Sequence, residues 1–175
     1  MDYFEKTLKS DTVYDGKILR LDVETVLLPN DNTATREIVR HPGAVAILPV
    51  TKDGEIYFVR QYRKALDMEL LEVPAGKLEK DEVPYECAMR ELQEEIGFAA
   101  DKLTLLGSFY SSPGFSNEII YVYKAEDLTP SQLTPDEDEF INVVKLDIKE
   151  SLKMLNKGLI RDSKTAIALS LGLLM

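Results

Sequence analysis

The chain has 175 residues with 31 acidic against 21 basic side chains, and its formal net charge of −10 sets polynucleotide binding aside unless a local basic patch offsets it. No segment reaches the roughly 18 consecutive apolar residues of a membrane span, and the N-terminus, with Asp2, Glu5, Lys6 and Lys9, lacks the apolar core of a secretory signal. Its one cysteine, Cys87, excludes an internal disulfide and suits a reducing, cytoplasmic setting, while the length fits one domain with an extension.

Taken in chain order, residues 12–28 are rich in Val, Tyr, Ile and Leu, and the alternation Leu19-Arg20-Leu21-Asp22-Val23-Glu24 predicts a half-buried strand. Asn30-Asp31-Asn32 is a turn signal and 35–40 reads as the returning strand. Residues 1–41 thus form a β-rich extension too small to bury a core alone. They are expected to pack on the main domain, residues 42–175, or on another subunit. Two apolar strands, 44–50 and 55–60, flank Asp53-Gly54 and predict a hairpin. A short strand at 69–73 leads into Pro74-Ala75-Gly76, and 103–110, 119–124 and 141–146 are further strands. Two helices close the chain at about 149–157 and 163–174, with Gly158 between them. The order strands, helix, strands, helices is that of an α+β protein with a sheet flanked by helices.

Between the strands lies an acidic helix. Pro84 suits its first turn, Asp81 and Glu82 complement the N-terminal dipole, and Gly97 provides a left-handed end. At about 100° per residue, Tyr85, Ala88, Met89, Leu92 and Ile96 form one apolar stripe. Glu91, Glu94 and Glu95, at i, i+3 and i+4, share a face beside it, and Glu86 and Arg90 are spaced to pair on the other side. Grouped carboxylates of this kind suit a hard divalent cation. By themselves they equally suit a solvated acidic face.

The wider string separates these readings. Gly76, Glu82, Arg90, Glu91, Leu92, Glu94, Glu95, Gly97 and Phe98 satisfy G-x5-E-x7-R-E-U-x-E-E-x-G-U, with U a bulky apolar residue, at every defined position. Average residue usage would produce this about once in 10⁹ windows. The chain closely resembles the Nudix hydrolases. The resemblance implies an α/β/α sandwich with a mixed sheet and hydrolysis of a nucleoside diphosphate linked to a further moiety. It also implies a loop–helix–loop holding Mg²⁺ or Mn²⁺ on Glu91, Glu94 and Glu95, with Arg90 orienting the glutamates.

Pro113, 15 residues beyond Phe98 within Ser111-Ser112-Pro113-Gly114-Phe115-Ser116-Asn117-Glu118, resembles the marker of the ADP-ribose pyrophosphatase subgroup. So do Val59-Arg60-Gln61-Tyr62-Arg63, Glu72-Val73-Pro74-Ala75-Gly76 and Asp136-Glu137-Asp138-Glu139-Phe140. The resemblance carries the Ala75 carbonyl into the metal ligand set with Glu91, Glu94 and Glu95. It places Arg63 on the diphosphate and Glu118 on ribose hydroxyls, with Arg36 or Arg40 as further cationic contacts. It implies a homodimer in which the N-terminal strands reach the partner. The chain has no tryptophan, so Tyr or Phe would have to stack on the base where some relatives use indole rings.

The implied reaction converts ADP-ribose to AMP and ribose 5-phosphate by attack of water on one phosphorus. A carboxylate takes the proton, and the resemblance places that base in the acidic loop, at Glu137 or Glu139. Alternative substrates are GDP-mannose, NADH or FAD. A non-catalytic ADP-ribose sensor is a third reading, against which the intact carboxylate set argues. His41, before Pro42, is expected to cap a strand end, and Cys87, with no adjacent base, is not expected to act as a nucleophile.

Overall fold

A computed structural model describes residues 3–134 and 140–174. The described strands are β1 (Lys6–Asp15), β2 (Arg20–Leu27), β3 (Thr33–Arg40), β4 (Ala44–Pro49), β5 (Glu55–Arg63), β6 (Met68–Glu72), β7 (Ala75–Lys77), β8 (Phe98–Tyr110), β9 (Ile119–Pro130) and β10 (Asn142–Asp147). The helices are α1 (Pro84–Glu95), α2 (Ile148–Asn156) and α3 (Ser163–Leu174). The chain is α+β, divided into two compact units: residues 1–43 with 110–119, and residues 44–109 with 120–175.

The first unit is built on an antiparallel sheet in the order β1-β2-β3. Asp31, at φ 62°, makes the turn into β3. The middle strand alternates as expected, but its more deeply covered face is the polar one: Asp22 and Glu24 are buried with Val26, while Leu21 and Val23 are only half-buried. The carboxylates are covered because β1, β3 and the start of β2 supply their partners. Thr12 and Arg20 donate to Asp22, Thr7 donates to Glu24, and Arg40 donates to both. A bonded, neutralised carboxylate can take a position that a lone one cannot. Every residue of β1 is exposed.

The second unit holds a mixed sheet, β7-β4-β9-β8, and an antiparallel sheet, β10-β5-β6. β4 runs parallel to β9 and antiparallel to β7. The predicted hairpin around Asp53-Gly54 is corrected here. β4 and β5 flank that turn but belong to different sheets; the Val50–Ile56 bridge and the bond from Thr51 N–H to the Glu55 carbonyl close the turn between them. β4 and the first half of β5 are covered on both faces, whereas Arg60 and Tyr62 further along β5 are exposed. Val45, Ile47 and Val59 face Cys87, Ala88 and Leu92 of α1. The alternate residues Ala46, Leu48, Ile56 and Phe58 join Ala168 and Leu169 of α3. One helix on each side of such strands is the sandwich arrangement. No helix among the described residues is long and apolar enough to cross a membrane.

Candidate active site

α1 begins at Pro84, behind an extended Val83 that offers no side-chain cap. It stops where Gly97 turns to φ +74°, a conformation that other residues enter at a cost. Its buried residues are Cys87, Ala88, Glu91, Leu92 and Glu95. Two glutamates therefore lie within the buried stripe rather than beside it, and Tyr85, expected in that stripe, is exposed.

Arg90 explains how the helix tolerates them. Its Nε and Nη2 donate to the two carboxylate oxygens of Glu82 at 2.9 and 3.0 Å, and its Nη1 donates to Glu91 at 2.7 Å and Glu94 at 2.8 Å. The predicted pairing with Glu86 is not made, because Glu82, in the turn before the helix, offers a planar fork that matches the guanidinium. These bonds, Glu82's foremost, raise the Arg90 pKa, and Arg90 in turn holds the Glu82 carboxyl below its ordinary range. Glu95 accepts from the Ala75 N–H at 3.0 Å. Gly76 completes the packing: a Cβ there would overlap the Glu91 carboxylate. Arg90 thus bonds three carboxylates at once, those of Glu82, Glu91 and Glu94.

Among the described residues no three acidic, His or Cys side chains converge as a ready-made metal cage, since Glu91 and Glu94 are turned onto Arg90. The donor set nevertheless fits a hard divalent cation. It groups the carboxylate oxygens of Glu91, Glu94 and Glu95 on one helix, against a backbone stretch that Gly76 keeps clear.

Arg63 lies in the same unit. Its Nε and Nη2 donate to Glu72 at 2.8 and 2.7 Å, and Glu95 adds to the negative field around it. Glu72, only 1% exposed, also binds Lys164 of α3, which lies 3.0 Å from Asp162. Burial pushes the Glu72 carboxyl up, but Arg63 and Lys164 together outweigh that and hold it low. Thr165 donates to Asp162 at 2.6 Å and accepts from the Val73 N–H at 2.9 Å. Sequence reasoning missed Lys164, Asp162 and Thr165, because no local spacing ties them to Glu72.

Arg36, Arg40, His41 and Glu118 belong to the first unit. Arg36 is engaged by Glu5 at 2.9 and 2.6 Å, and Arg40 by Asp22 at 3.2 Å and Glu24 at 2.5 Å. Glu118 accepts from Ser111 Oγ at 2.5 Å. His41 Nδ1, beyond the end of β3, accepts from the Gly43 N–H at 3.2 Å. Cys87 is buried, and desolvation raises its thiol pKa. Glu137 and Glu139 lie outside the described residues. Ahead of them, Leu133 N–H and Gln132 Nε2 both donate to the Gln93 carbonyl of α1 at 3.2 Å, so the approach to the acidic loop is anchored beside Glu94.

The Nudix domain matches residues 39–164, which span the whole carboxylate cluster. The chain belongs to the Nudix family. Residues 5–39 match the nucleoside diphosphate sugar hydrolase N-terminal domain. Among similar proteins, the ADP-ribose pyrophosphatase of Bacillus subtilis (strain 168) is 47% identical, covering 94% of this chain and 90% of its own. The methanol dehydrogenase activator of Bacillus methanolicus is 46% identical over the same shares. A solved ADP compounds hydrolase superposes with a TM-score of 0.84 at 25% identity, covering 95% of this chain and 91% of that one. Nudix hydrolases generally use divalent metal ions.

Proposed function

We propose that this Nudix protein hydrolyses the diphosphate bond of ADP-ribose to AMP and ribose 5-phosphate, with Mg²⁺ or Mn²⁺ as cofactor. The observation that carries the reading is the pair of buried glutamates, Glu91 and Glu95, packed against Gly76 and Ala75 with Glu94 beside them on the same helix. Likeness to an ADP-ribose pyrophosphatase over most of both chains favours that substrate.

In this reading Ala75, through its carbonyl, and Glu91, Glu94 and Glu95 hold the cation, with Arg90 released from part of its hold on Glu91 and Glu94. When bound, a divalent cation offsets the diphosphate charge and lowers the pKa of the attacking water. Water forms a new bond to one phosphorus while the bridging P–O bond breaks and the other phosphate leaves. Glu137 or Glu139 takes the water's proton, which leaves Glu94 and its neighbours to the cation. Arg63 has its Nε and Nη2 locked on Glu72, which leaves its Nη1 edge for a phosphate oxygen. Arg36, Arg40 and Glu118 serve the nucleotide and ribose, for which the arginines would exchange a carboxylate partner for substrate. The enzyme acts in the cytoplasm as a homodimer through residues 1–41.

Pure protein incubated with ADP-ribose and Mg²⁺ should release AMP and ribose 5-phosphate, and a chelator should stop it. Absence of AMP across several divalent metals would overturn the reading. A panel of ADP-ribose, GDP-mannose, NADH and FAD compared by kcat/KM locates the preferred substrate. Tight ADP-ribose binding without turnover would instead identify a sensor.

A further inference from the structure

The stretch from Glu72 to Gly76 is held, residue by residue, from β5, α3, β4 and α1 of the second unit. The Glu72 side chain is gripped by Arg63 of β5 and Lys164 of α3. Val73 N–H donates to Thr165 Oγ1, and the Pro74 carbonyl accepts from the Ile47 N–H of β4 at 2.8 Å. Ala75 N–H donates to Glu95, and Gly76 lies under the Glu91 carboxylate. Of these anchors only Thr165 is a neutral side chain in a fully buried place, with no solvent to substitute for it. Asp162 receives its hydroxyl proton, which aims an oxygen lone pair at Val73 N–H. The bond to Thr165 is thus polarised and directional. Asp162 also accepts from Thr165 N–H at 2.9 Å, so the same carboxylate caps α3.

We propose that the first turn of α3, through Thr165 and the Asp162 that orients it, is a positioning element for the metal-binding corner at Ala75. The path is short: Thr165 fixes the backbone at Val73, Pro74 passes that placement on through a restricted φ, and Ala75 presents its N–H to Glu95 and its carbonyl to the cation. Helix α3, on the opposite side of the strands from α1, thereby sets where two of the ligands lie. Thr165 and Asp162 touch neither substrate nor metal in this scheme; they act by holding the groups that do. The inference rests on the proposed ligand set of Ala75, Glu91, Glu94 and Glu95.

The test is direct Mn²⁺ binding to the whole protein, followed by electron paramagnetic resonance without substrate. Thr165→Val, which keeps the shape but loses the acceptor, should weaken Mn²⁺ binding by about tenfold, as the loss of groups that orient metal ligands does elsewhere. Thr165→Ser keeps the hydroxyl and should restore wild-type affinity. Ser151→Ala is the control for destabilisation alone: Ser151 is equally buried and bonds to the carbonyl of Asp147, the residue that caps α2. That variant should lower Tm without changing Mn²⁺ affinity. Wild-type affinity in Thr165→Val, or equal weakening in Ser151→Ala, overturns the proposal. Should Thr165→Val not fold, Asp162→Ala serves instead, and unchanged affinity there overturns the proposal as well. A wild-type protein that binds no Mn²⁺ would refute the metal reading itself, an outcome distinct from a bound ion indifferent to Thr165.

Discussion

Without the Arg90 guanidinium, Glu82, Glu91 and Glu94 would lose the cation that bridges all three carboxylates, in a place with little water. Arg90→Met should therefore cost about 2 kcal/mol, in the range of a charge-assisted network that loses its centre. Saturating Mn²⁺ should raise the Tm of this variant by more than it raises that of the wild type, because the ion and the arginine answer the same carboxylates. Equal shifts in thermal denaturation would count against a shared site. Gly76 makes a different demand. Its backbone is not left-handed, so Gly76→Ala should fold; the added Cβ instead displaces the Glu91 carboxylate. Circular dichroism should be unchanged while kcat/KM falls by about 100-fold, the scale expected when a reactive group is misplaced by about an ångström.

Among the elements, α1 was legible in its boundaries and not in its contacts. Pro84 and Gly97 are local signals, and local signals mark helix ends. Which glutamate Arg90 takes depends on the turn at 79–82, which no helical spacing describes. The helix also starts without a side-chain cap, at Val83 with φ −84° and ψ 144°. Val83→Ser should supply one and add about 1 kcal/mol, read as a Tm rise of about 2–4 °C for a chain of this length. The junction of α3 with β6 makes a prediction in acid. The folded-state pKa of Glu72 lies below its ordinary 4.5, so the stabilisation it brings is present above that value and is lost as pH falls through the lowered one. Arg63 of β5 and Lys164 of α3 lower it and Asp162 stands next to Lys164. Lys164→Met should thus move the onset of acid unfolding to higher pH, measurable by circular dichroism, and an unmoved onset would show that Arg63 alone holds Glu72.

For the whole molecule, the first unit bears on assembly. All of β1 is exposed, and Leu8, Val13 and Tyr14 stand open on it. An exposed strand with apolar side chains is the kind of surface that proteins cover. Sedimentation at micromolar concentration should give a dimer, and a truncation lacking β1 should give a monomer. A monomeric full-length chain would remove the assembly role of residues 1–41.

The amino-acid sequence by itself determined the family and the class of fold. Nine matched positions from Gly76 to Phe98 lie within one loop–helix–loop, where spacing along the chain is nearly spacing in space. The same holds for α2, α3 and most strands, whose periodicity is local. Tertiary structure decided what pairs with what. It separated β4 from β5 into different sheets, covered the acidic face of β2, and gave Arg90 to Glu82. It also joined Glu72 to Lys164 and Val73 to Thr165, across most of the second unit's length in sequence. Such choices follow from which partner best satisfies a buried polar group, and that cannot be read until the chain has brought distant residues together.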